Sequence, residues 1–75
     1  MDALNELQKI FRDIFDDETL IISNETSEND IEQWDSLAQI NIIAVCESVF
    51  KISFDINDIV TIKSVGDIIN IIERN

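Results

Sequence analysis

Histidine, tyrosine and proline are absent from the 75 residues, and glycine, cysteine and tryptophan occur once each. Without histidine the chain lacks the commonest general base and the commonest metal ligand. A Ser-His-Asp constellation cannot be assembled from it. One cysteine and no histidine leave no ligand set for a zinc centre. These absences weigh against an enzyme that works by itself. A lone Cys46 also excludes an intrachain disulfide, so the expectation is a reduced, cytoplasmic protein. No apolar run approaches the roughly 20 residues of a membrane span. Met1–Glu6 is acidic and lacks the basic start and apolar stretch of a signal peptide.

Positive charge is scarce as well. Five Lys and Arg stand against sixteen Asp and Glu, a net charge of −11. Repulsion sets such a chain against nucleic-acid phosphates and anionic membrane surfaces. Basic protein patches are its natural partners, with opposite charge speeding encounter. The chain shows no internal repeat and no linker, and its length suits one small domain over residues 1–75. The protein is expected to be a monomer. Its 45% hydrophobic content is ordinary for a globular fold.

Apolar spacing then divides the chain into helices. Residues 2–15 carry Leu4, Leu7, Ile10, Phe11 and Ile14 at three- and four-residue intervals, one face of a helix with Asp2 as a candidate N-cap. Residues 16–35 form a long polar connection, in which Leu20, Ile21 and Ile22, then Ile31 and Trp34, are expected to pin the loop to the core. Its acids do not fall at the alternating spacing of an EF-hand loop, and it holds no glycine. Weak divalent binding by a diffuse acidic surface is the expectation there.

Residues 36–51 read as a second helix capped by Asp35, with Ser36 in its first turn. Gln39, Ile42, Ile43, Cys46, Val49 and Phe50 form the candidate buried face. Leu37, Ile40, Ala44 and Glu47 form a second row running down from Ser36, read as an exposed recognition strip. Cys46 is assigned no chemistry. After the extended Ile52-Ser53-Phe54, Asp55 can cap a short helix at 56–60 with Ile56, Ile59 and Val60 facing in. Ser64-Val65-Gly66-Asp67 has the form of a capping box. It opens a last helix, roughly 65–73, with Val65, Ile68, Ile69 and Ile72 on its apolar face. Gly66 lies in the first turn, where it is expected to cost little. The fold class is all-α: a four-helix bundle of three main helices, one short third helix and a long loop between helices 1 and 2.

Asp35-Ser36-Leu37 after a long acidic loop, the Phe50–Phe54 region, the short helix near 56–60 and the Ser64-Val65-Gly66-Asp67 opening together resemble the acyl carrier protein family. The resemblance covers essentially the whole chain. It implies that Ser36 is the serine to which a phosphopantetheinyl transferase, using coenzyme A and magnesium, attaches 4′-phosphopantetheine. The thiol of that arm would carry an acyl group as a thioester. Asp35 would assist the modification by helping the transferase hold its metal. Leu37, Ile40, Ala44 and Glu47 match partner-docking positions, and Ile42, Cys46 and Phe50 match core positions. Partners would be the transferase and the acyl-loading ligases, synthases or transferases that present basic or apolar docking patches.

The chain departs from the best-known members, which carry a dense acidic row on the second helix. Here Ala38, Asn41 and Ser48 occupy candidate exposed positions, and Glu47 is that helix's only acid. Residues 1–35 hold eleven acids and two bases, a net −9; residues 36–75 hold five acids and three bases, a net −2. Docking through the second helix should therefore lean on Leu37 and Ile40 rather than on salt bridges, with the loop or the first helix as the alternative surface, which suggests a specialised pathway rather than general fatty-acid synthesis. Two other readings stay open: an aminoacyl or peptidyl carrier loaded by an adenylating ligase, and an unmodified acidic docking protein.

Overall fold

The computed structural model describes residues 2–74. It contains four α-helices: α1 (Ala3–Ile14), α2 (Ser36–Phe50), α3 (Ile56–Thr61) and α4 (Val65–Arg74). Each starts where a side chain answers the free N–H groups of a helix N-terminus. Asp2 accepts from Leu4 N, and Asp35 accepts from Ala38 N at 2.9 Å. Asp55 and Asp58 form a reciprocal capping box. Ser64 and Asp67 form another: Ser64 Oγ accepts from Asp67 N, and Asp67 Oδ2 accepts from Ser64 N and Lys63 N. α2 stops at Lys51, which takes a left-handed conformation (φ 56°) and donates its N–H to Glu47 O.

α1 packs against both α2 and α4. Leu7, Ile10 and Phe11 from α1 meet Ile42, Ile43 and Cys46 from α2 and Val65, Ile68, Ile69 and Ile71 from α4 in one core. The long α1–α2 loop is stitched down along its length. Gln8 Nε2 and Arg12 Nε donate to Leu20 O, and Ile22 N donates to Gln8 Oε1. Further on, Val65 N donates to Thr26 O and Gly66 N to Asn24 O, both at 2.8 Å, and Glu28 N donates to Lys63 O. An isolated antiparallel bridge joins Ser27 and Ser64. Ile31 and Trp34 are buried, and the indole meets Phe11 edge-on, with ring centroids 5.2 Å apart.

Several expectations are corrected. Ile56 and Val60, one turn apart, are 75% and 64% exposed. They do share a face, but α3 is rolled so that this face points outward. Its anchors are the flanking Phe54 and Ile62, which are buried, and half-buried Ile59. Within the triplet meant to pin the loop, Ile22 is buried, Leu20 half-buried and Ile21 exposed. The segment is non-helical, so neighbouring side chains turn to opposite sides. At the end of α2, Val49 is exposed and Phe50 half-buried because both border an open groove with Ala3 and Ile72. Ala38 is buried rather than exposed. Ile71 is buried in α4 and Ile72 is half-buried. Gly66 is not a neutral choice either, because a Cβ there would stand 2.8 Å from Asn24 O.

Candidate functional site

Ser36 is the first residue of α2, and its side chain is exposed. Its position is held from both sides. Upstream, Trp34 is clamped in the core against Phe11, so the chain reaches Asp35 from a fixed point. Downstream, Asp35 Oδ1 accepts from Ala38 N at 2.9 Å, and Asp35 O accepts from Gln39 N at 2.9 Å. The Ser36 hydroxyl itself has no hydrogen-bond partner among the described residues. It is a free hydroxyl on a rigid mount.

Ser36 borders an open cleft of ≈ 660 Å³ between the start of α2, the loop and α3. Asp35, Gln39, Ile40, Ile59 and Val60 also line it, and Lys63 supplies its one cation among the described residues. Glu28 and Asp35 bring opposite charge to the same rim. The cleft is bridged by Gln39. Trp34 Nε1 donates to Gln39 Oε1 at 2.6 Å, while Gln39 Nε2 donates to Ile59 O and Ile62 O at 3.3 and 3.4 Å.

The row that runs from Ser36 is largely on the surface. Leu37 and Ile40 are 68% and 61% exposed, and Ala44 is exposed. Glu47 differs: it is half-buried, and its Oε2 accepts from Phe54 N at 2.8 Å, tying the end of α2 to the segment before α3. The only acid of the helix thus has a structural engagement of its own. Cys46 lies at the centre of the core, where burial pushes its thiol up to about 12, with the nearby Glu47 charge adding to the effect. A thiol held neutral in this way is a poor nucleophile.

Gln39 and Lys63 were not legible as cleft residues from sequence. Gln39 carried a signal, since a single amide in an otherwise apolar row needs polar partners inside the fold. Lys63 carried none, because it reaches the rim only through the tertiary arrangement.

The residues around Ser36 suit an anionic tether. A helix start favours a phosphate through its free N–H groups and dipole, and Lys63 stands on the same cleft.

No family model matches the chain, and no curated protein matches it. Among solved structures, the solution NMR structure of a holo acyl carrier protein from Geobacter metallireducens is similar at 39% identity, with a TM-score of 0.89. The match covers 99% of this chain and 85% of that one. Identity at that level over nearly the full length, with the same all-helical fold, places this chain in the acyl carrier protein family, whose members are carriers and not enzymes.

Proposed function

We propose that this chain is an acyl carrier that bears its cargo on a 4′-phosphopantetheine arm attached to Ser36 and delivers it to partner enzymes of a specialised biosynthetic pathway. The observation that carries the reading is the exposed, unpartnered Ser36 hydroxyl at the rigidly capped start of α2, beside an open cleft. Residues 1–75 act as one carrier domain, monomeric and cytoplasmic.

In the modification, Ser36 Oγ gives up its proton to a base of the transferase or to solvent and forms the new bond to phosphorus, the pyrophosphate P–O bond of coenzyme A breaks, and the nucleotide part leaves as the bisphosphate. Asp35, which precedes the serine and caps α2 through Oδ1, would help the transferase hold its magnesium, and that metal would supply charge stabilisation at the reacting phosphate. The start of α2 and Lys63 stabilise the resulting phosphodiester charge. When bound, the arm supplies a thiol that holds an acyl group as an activated thioester. The flexible tether raises the local concentration of that group at each docked enzyme.

Leu37, Ile40 and Ala44 form the surface that partners read, with Glu47 at its lower edge. Apolar contact dominates there, and the acidity of residues 1–35 steers basic partners from a distance. The transferase, a loading ligase or a synthase would all meet this strip, since each must reach Ser36.

Intact mass after incubation with coenzyme A and a broad-specificity transferase tests the reading. The expected result is a gain of one phosphopantetheine that disappears in Ser36→Ala. No gain, under conditions that modify a control carrier, would sink it.

A further inference from the structure

Gln39 stands three residues after Ser36 and lines the same cleft. Both ends of its amide are committed. Oε1 accepts from the buried Trp34 indole, and Nε2 donates to the carbonyls of Ile59 and Ile62. Those carbonyls lie at the C-terminal end of α3, where a helix leaves its last C=O groups without intrahelical partners. α3 buries none of its own side chains. Two polar clasps hold it: Gln39 reaching from α2, and Arg74 reaching from α4 to Asp58 at 2.6 Å.

An alkyl chain passing from the open cleft into the seam between α2 and α3 would have to part Gln39 from these carbonyls. It offers no hydrogen bond in return, and polar groups left unmatched out of water are costly. A cargo with its own donors and acceptors can answer the same groups. We propose that Gln39 is the specificity-determining residue of this cleft. It admits short acyl groups bearing hydroxyl, amino or amide substituents next to Ser36 and keeps plain alkyl chains out. The inference rests on the reading that Ser36 carries the arm.

The test uses the full chain loaded at Ser36 with either an octanoyl or a 3-hydroxybutyryl pantetheine arm. Cleavage of each thioester by hydroxylamine is followed by intact mass and compared with the same group on free pantetheine. In the wild type, 3-hydroxybutyryl should be cleaved more slowly than on free pantetheine by about tenfold, the weight of one hydrogen bond, and octanoyl at the free rate. In Gln39→Leu the order should reverse. Because that variant leaves the Trp34 indole N–H without its partner, Trp34→Phe/Gln39→Leu is measured beside it and should behave alike. Octanoyl protected equally in the wild type and the variants would overturn the inference.

A second readout needs no cleavage. The wild-type Trp34 indole N–H resonance should shift on loading with 3-hydroxybutyryl and stay in place with octanoyl. Equal shifts for both, or none for either, would overturn it. Absence of the mass gain on loading is a distinct result, and it removes the carrier reading together with the gate.

Discussion

A Cβ on Gly66 would stand 2.8 Å from Asn24 O, closer than such atoms approach. The same oxygen accepts the Gly66 N–H at 2.8 Å, so the loop cannot back away without losing that bond. Gly→Ala inside a helix ordinarily stabilises by about 0.5–1 kcal/mol. Here the sign should invert: Gly66→Ala is expected to cost about 1–3 kcal/mol, as overpacking does. Chemical denaturation measures this, and an unchanged or higher midpoint would mean that the loop yields freely. What could be read at single positions divides along the same line. Asp2, Asp35, Asp55 and the Ser64/Asp67 pair were legible as caps because a cap and its N–H lie within three residues of each other. Gly66, Gln39 and Lys63 were not, because each acquires its role from a residue at least twenty positions away or from the assembled cleft.

Among the helices, α1 and α4 were legible in order and approximate extent, since their apolar residues recur on one face and that face is buried. α2 is harder, being apolar nearly all round. The row Ile42–Cys46 does enter the core, but the row's continuation to Phe50 runs past the cover that α1 and α4 provide. α3 was legible in place and not in roll. Six residues with three aliphatics define a face without saying which way it turns, and polar clasps on Asp58 and on the carbonyls of Ile59 and Ile62 decide it. The exposed strip on α2 yields its own prediction. Ile40→Glu replaces a 61% exposed side chain. It should keep helical circular dichroism and the melting temperature nearly unchanged, within the small range typical of surface substitutions. Turnover by a partner enzyme should fall. Lost helicity would assign Ile40 to the core, and unchanged turnover would move the docking surface elsewhere.

The whole molecule carries −11 in a small volume, and self-repulsion opposes folding. Added salt or magnesium should therefore raise the melting temperature; a constant or falling value would count against this. Acidification works in two opposed ways. Lowering the pH towards the isoelectric point near 4.1 relaxes the repulsion. Asp58, held low chiefly by the Arg74 hydrogen bond, and Asp17, held low by the Thr19 hydroxyl and N–H, act the other way. Their contribution is complete above the ordinary carboxyl value of 3.8 and is lost as the pH falls through their lower native values. Both groups are at the surface, so the contribution is modest. Melting temperature should rise as the pH is lowered from neutrality towards about 5 and fall back modestly below about 3.8; a monotonic decline from pH 7 would show that repulsion is unimportant. The seam between the loop and α4 bears on a different matter, the order of events during synthesis. The backbone partners of Asn24 and Thr26 are Gly66 and Val65, some forty residues further along. A ribosome adds roughly 5–20 residues per second, so for several seconds the nascent chain has made Ser36 but cannot yet close the surroundings that present it. On the reading that Ser36 carries the arm, the modifying enzyme would meet folded surroundings only once α4 has been made, and attachment would follow folding, timed by a segment some thirty residues beyond the serine.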